Sequence, residues 1–217
     1  MPSWNVHIAH VERLEATCGL EALGVRDANV FLLGNMVPDI YVGYMVPDTT
    51  TVLPYGQTHF ADPHVVPIPH YERFWELYGA DRTGDDRDLA LGVYAHLVCD
   101  ARYNAATRDF LAAHGIPRGD KTRIRKQGDF ALFGRTHAIS SVPVADERAL
   151  AAAARFAQYP IEEPDVRATC DVVAGIVEEN QAGFIAGTPD YSMLTPEFFA
   201  ATFDDVHASL LELLPQL

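Results

Sequence analysis

The twelve residues Leu89-Ala-Leu-Gly-Val-Tyr-Ala-His96-Leu-Val-Cys-Asp100 are apolar almost throughout, apart from one imidazole and one carboxylate. A helix turns about 100° per residue, so positions four apart return to one face about 6 Å further along. A helix apolar on every side reads as buried on every side. His96 and Asp100 therefore point the same way inside the protein. An ionised carboxylate buried without a partner is very costly. A divalent metal ion compensates it well, and this pair is the strongest lead to function in the chain.

Composition narrows the class. Of the 217 residues, 48% are hydrophobic, enough for a sizeable core, and 30 acidic side chains against 16 basic ones set the net charge at −14. An acidic surface does not draw in nucleic-acid backbones or anionic membranes over long range. No nucleic-acid partner and no stable membrane insertion are expected. No apolar stretch approaches the 18 residues of a spanning helix, and the first residues lack a basic region followed by an apolar run. Cys18, Cys99 and Cys170 are far apart, odd in number and without a CxxC pair. That argues against a disulfide framework and a thiolate zinc site, and fits a reducing, cytoplasmic setting with each thiol a small core residue.

The periodicity predicts helices over 5–23, 27–37, 69–79, 86–113, 118–134, 146–158, 164–185 and 195–214, with scarce strand patterns. Asp27 is the expected N-cap of the second helix and Pro38 its stop. Residues 40–67, flanked by Pro38 and Pro69 and containing Pro47, Pro54, Pro63 and Pro67, read as one long loop, which usually means function or disorder. A single all-α domain over 1–217 is the expectation.

Further polar residues can be placed against this frame. His7 shares the core stripe of the first helix with Val11, Leu14 and Cys18, so it points inward; His10 lies about 60° away and leans toward Arg13 and Thr17. Asp39 follows Pro38, and a turn-capping role is the simpler reading. His59 comes late in the Pro-rich loop, where a histidine is most often a surface residue. Borderline divalent ions such as zinc take imidazole nitrogen and carboxylate oxygen where thiolates are absent. Asp39 and His59 could complete the set begun by His96 and Asp100.

In this order, Trp4 and His7, the segment Phe31-Leu-Leu-Gly-Asn-Met-Val-Pro-Asp39, His59-Phe60 and the pair His96 and Asp100 resemble the zinc-dependent phospholipase C family, related to fungal single-strand nucleases. The resemblance covers roughly residues 1–104. It implies an all-α fold of the phospholipase C or nuclease-like type that hydrolyses phosphate esters. It also implies one zinc ion held by Asp39, His59, His96 and Asp100, and a second that shares Asp100 and takes His7. In the family the second ion also uses the amine of an N-terminal Trp, whereas Trp4 here follows three residues. A third ion takes further His and Glu ligands beyond the bridging Asp, and this chain has Asn104 eight residues after His96. One zinc site, with a second bridged by Asp100, is the expectation.

The function expected is zinc-dependent hydrolysis of a small phosphoester or a phospholipid head group. Asp39 serves as ligand or as the base that takes a proton from the attacking water. Tyr41, Tyr44 and Tyr55 would line the pocket. Lys121, Arg123, Arg125 and Lys126 form the one basic cluster; a solvated helix face is the simpler reading, contact with an anionic substrate the sharper one. The alternative is a metal-stabilised binding protein of the same fold with reduced catalysis. A His-Asp dipeptide phosphohydrolase does not fit, because that dipeptide is absent.

Overall fold

Helical periodicity is realised along most of the chain. The computed structural model describes residues 2–64 and 66–217. In chain order they form α1 (Trp4–Cys18), α2 (Ala28–Ile40), the single turn α3 (Tyr55–Thr58), α4 (Tyr71–Phe74), α5 (Gly84–Ala113), α6 (Asp120–Gly134), α7 (Glu147–Ala154), α8 (Glu163–Ala182) and α9 (Pro196–Leu213). Among the described residues there is no strand, only an isolated bridge between Ala61 and Pro69. The protein is all-α, with one continuous core.

α5 is the axis. Every residue from Asp88 to Ala101 is buried, because α2, α7, α9 and α4 all pack on it. The crossing with α2 is the closest. A Cβ on Gly34 would stand 2.2 Å from the Leu89 carbonyl oxygen, and one on Gly92 would stand 2.1 Å from that of Phe31. Only glycine permits this approach, which brings the backbone of α2 within reach of the α5 side chains.

Several boundaries differ from the sequence reading. α1 ends at Cys18, because Gly19 takes φ +77° and Leu20–Leu23 continue as a 3₁₀ turn. Asp27 does cap α2, accepting the Val30 N–H at 3.0 Å. Pro38 does not stop that helix, which runs through it to Ile40. Burial of Met36, Val37 and Ile40, about 1.5–3 kcal/mol each, outweighs one missing donor near the helix end. Phe74 is followed by a π-helical turn, Trp75–Gly79. α7 stops at Ala154, four residues early. Cys18 is exposed and Cys170 half-buried, so only Cys99 is a core thiol.

The Pro-rich segment is ordered by specific bonds. Asp165 of α8, itself buried, accepts the Tyr41 hydroxyl at 2.8 Å, the Thr50 N–H at 3.0 Å and the Thr50 hydroxyl. Tyr41 is therefore buried with its hydroxyl held at α8 rather than at the His and Asp residues. The turn α3 is set inside the segment read as loop. Immediately after it, Phe60 takes φ +55°, an uncommon conformation for a bulky residue. Its ring packs edge-on against Phe74 and Tyr78, which holds the kink next to His59.

Candidate metal centre

Five side chains from four parts of the chain converge at the α2–α5 crossing. α1 supplies His7, the end of α2 Asp39, the residue after α3 His59, and α5 both His96 and Asp100. Each is at most 1% exposed. The surface reading of His59 and the turn-capping reading of Asp39 are thereby replaced by burial in one cluster.

The ligand atoms face one another. His59 Nε2 lies 3.2 Å from His96 Nε2, 3.3 Å from Asp39 Oδ1 and 3.6 Å from Asp100 Oδ2. Asp100 Oδ1 lies 3.5 Å from His7 Nε2, so the two oxygens of Asp100 face different histidines. The rings of His7 and His96 stack in parallel with centroids 4.0 Å apart. Two sets of three, His7 with His96 and Asp100 and Asp39 with His59 and His96, have their ligand atoms within 4.8 Å of one another. Zinc–ligand bonds of about 2.0–2.1 Å in a tetrahedron place ligand atoms roughly 3.3 Å apart. The spacing around His59 Nε2 has that size.

Hydrogen bonds fix which ring nitrogens carry protons. His96 Nδ1 lies 2.8 Å from the Asn35 carbonyl oxygen, which can only accept. The proton is therefore on Nδ1, and Nε2 presents a lone pair. The Thr58 hydroxyl donates to the Tyr55 carbonyl at 3.3 Å. With the hydroxyl so turned, its oxygen accepts His59 Nδ1–H at 2.8 Å, the tautomer in which His59 Nε2 presents a lone pair too. Two lone pairs 3.2 Å apart beside two carboxylates repel unless a positive charge lies between them.

The electrostatics agree. Burial is the largest influence on His96 and, with the neighbouring His7, pushes its pKa down to about 3 against the pull of Asp39 and Asp100. His96 is therefore neutral, the form that ligates metals. Burial alone would raise both carboxylates, but contact with histidines outweighs it. Asp39 is held low by its neighbours His59 and His96, and Asp100 by the His7 contact and then by His96 and His59 beside it. His7 Nδ1 and Nε2, Asp39 Oδ1 and Asp100 Oδ1 are buried with no hydrogen-bond partner among the described residues. Orphaned atoms of this kind, aimed at a common centre, are what a cation satisfies. These buried His and Asp groups could hold a metal ion.

Neither family models, nor curated proteins, nor solved structures match this chain.

A second layer was not legible in the sequence. Trp4, fully buried, donates its indole N–H to Asp39 Oδ2 at 2.9 Å. Its ring, and not its backbone amine, is what reaches the cluster. Tyr55, named as lining, stacks on His59 at 3.8 Å and donates its hydroxyl to Asp100 Oδ2 at 2.9 Å. Burial pushes the Tyr55 hydroxyl pKa well up, so it remains a donor. Tyr44 stands farther out, 59% exposed, yet near enough to feel Asp39 and Asp100. Asn104 spends its amide on the Pro67 carbonyl at 2.8 Å. His114 is exposed and bonds the Phe110 carbonyl. His10 shares the α9-facing side of α1 with Arg13 and Thr17, and is buried on Tyr103 and on Phe203, the ring over which the Arg13 guanidinium also lies.

Proposed function

We propose that this protein is a zinc-dependent hydrolase of phosphate esters, of the phospholipase C type. The observation that supports the reading is the meeting of His59 Nε2 and His96 Nε2, both lone-pair donors, with Asp39 and Asp100 around one point. Asp39, His59, His96 and Asp100 would hold one ion. Asp100, through its other oxygen, with His7 would hold a second. Imidazole and carboxylate without thiolate is a donor set suited to zinc. When bound, zinc supplies Lewis acidity that polarises a phosphoryl oxygen and acidifies water toward neutrality.

The chain's own groups do the rest. Asp39 Oδ2 is anchored by the Trp4 indole, which leaves Oδ1 directed into the cluster to hold the ion or to take a proton from the attacking water. Asn35 and Thr58 orient the two imidazoles, the outer-layer role that such partners have at metal sites. Tyr55 covers the cluster and must swing aside for an ester to reach it. A phospholipid head group and a small soluble phosphoester both fit this chemistry.

The experiment is elemental analysis of purified protein, wild type against the His96→Ala, Asp100→Asn double variant, alongside release of nitrophenol from bis-nitrophenyl phosphate with added Zn2+. Wild type is expected to carry zinc and turn over the ester. Equal metal content in the two proteins removes the metal centre, and equal rates remove the hydrolysis.

A further inference from the structure

The stripe of α5 that bears His96 and Asp100 continues through Asn104 to Thr107, at helical spacings of four, four and three. Thr107 is fully buried, and its hydroxyl has no hydrogen-bond partner among the described residues. It lines a small pocket with Leu111, Arg118, Thr122, Arg123 and Lys126. Three basic side chains thus line the pocket of one orphaned hydroxyl, although the guanidinium of Arg118 bonds His64 at 3.2 Å and that of Arg123 bonds Asp120 at 3.5 Å.

Lys126 is the unusual member. Lys121, Arg123 and Arg125 are exposed, as a solvated helix face requires, but Lys126 is only 8% exposed. No carboxylate among the described residues lies within ion-pair distance of it. A buried ammonium without a carboxylate is costly and calls for an anion. Asp100 is near enough for its charge to act on Lys126, and Arg123 acts likewise on Tyr44, at the outer edge of the metal cluster. Seven residues of helix separate Asp100 from Thr107, about 10 Å along the axis. The pocket and the cluster are neighbours on one face of α5.

We infer that Thr107, Arg123 and Lys126 form an oxyanion subsite that takes a second anionic group of the substrate. This rests on the phosphoester reading and narrows it to esters carrying a further phosphate or carboxylate about one small-molecule length away. Lys126 supplies the buried charge, the Thr107 hydroxyl a short-range donor, and Arg123 and Arg118 an exposed rim that draws anions toward an otherwise acidic protein.

The test measures calorimetric binding of inorganic phosphate to wild type, Lys126→Met, Arg123→Gln and the His96→Ala, Asp100→Asn protein, each in chelator, with circular dichroism melts to verify folding. Loss of one charge-assisted contact is expected to weaken phosphate binding about tenfold in Lys126→Met and less in the exposed Arg123→Gln, which guards against a folding defect in the first. The double variant, without its metal ligands, is expected to keep phosphate binding, slightly tighter than wild type because the negative charge of Asp100 near Lys126 is gone. No phosphate binding by wild type in chelator, or binding by Lys126→Met as tight as that of wild type, overturns the subsite and leaves the metal centre untouched. A second arm compares KM for a nitrophenyl ester with and without a second phosphate. A rise in Lys126→Met confined to the former assigns the subsite to substrate. Equal KM values despite lost phosphate binding overturn that assignment.

Discussion

The indole N–H of Trp4 donates to Asp39 across 2.9 Å in the fully buried floor of the His and Asp cluster. The bond joins the first turn of α1 to the last turn of α2, and it satisfies one carboxylate oxygen while the other stays directed at the histidines. Trp4→Phe keeps the ring volume and removes the donor. A buried acceptor left unsatisfied costs about 1–3 kcal/mol, and loss of an outer-layer partner weakens metal binding roughly 10–100-fold. Urea unfolding and zinc titration against a competing chelator measure the two effects. Unchanged zinc affinity would show that Asp39 needs no such anchor.

Removal of metal is expected to lower thermal stability. An ion that binds only the folded chain, at a thousandfold excess over its Kd, contributes about 4 kcal/mol, and for a chain of this length each kcal/mol moves Tm by roughly 2–4 °C. Scanning calorimetry with chelator, then with restored Zn2+, should show a reversible shift in wild type and none in the His96→Ala, Asp100→Asn protein.

Gly34→Ala is expected to destabilise the fold by about 1–3 kcal/mol or more through overpacking, because the new methyl would lie 2.2 Å from the Leu89 carbonyl oxygen. The same shift parts Asn35 from His96, so zinc affinity should fall with stability. An alanine at the open Gly175, which meets nothing within 4 Å, serves as the comparison and should leave both unchanged or raise stability slightly.

Acid should unfold the protein early. Burial, then the nearby charges of His7, His137, His207 and Arg13, hold His10 well below the ordinary histidine pKa. His137 and His207 are lowered by burial and Arg13. In the unfolded chain all three take up protons as pH falls through about 6.5, while the folded chain resists. The unfolded state then binds more protons, so stability is intact above that pH and declines below it. Equilibrium unfolding at a series of pH values between 7.5 and 5, roughly the histidine range, should show a smaller decline in His10→Phe than in wild type. Parallel curves would clear His10 of this role.

Tyr55→Phe separates the two contacts of the cover. The ring remains to stack on His59, while the hydroxyl bond to Asp100 is lost. A stability loss of about 1 kcal/mol is expected, with faster zinc exchange as the cover loosens. Stopped-flow release of zinc to a chromogenic chelator reads the second effect, and an unchanged rate would mean that Tyr55 does not gate the cluster.

Much of this protein is legible in one dimension. The apolar run around His96 and Asp100 dictates a helix buried on all sides, since only a central position hides every face. The inward stripe of α1 places His7, whereas Asp39 and His59 read on their own as a turn cap and a surface residue, and the resemblance is what joins them to the pair. Local patterns fail where a distant contact decides. Pro38 is kept helical by the core beneath it, and Cys18 is left outside where α1 breaks at Gly19. Lys126 looks like its exposed neighbours in sequence, yet its side of α6 faces inward. The ring of Trp4, the carbonyl of Asn35 and the hydroxyl of Tyr55 carry no sequence signal of their roles. Hydrogen bonds at about 2.8–2.9 Å are set by the closeness of the Gly34–Gly92 crossing and the pinning of the Pro-rich segment by Asp165. The sequence alone thus determined the helical class and the inward-facing His7, His96 and Asp100; tertiary packing decided the helix ends, the burial of Asp39 and His59, the free oxygens and the cover, because those depend on distances between elements that periodicity does not encode.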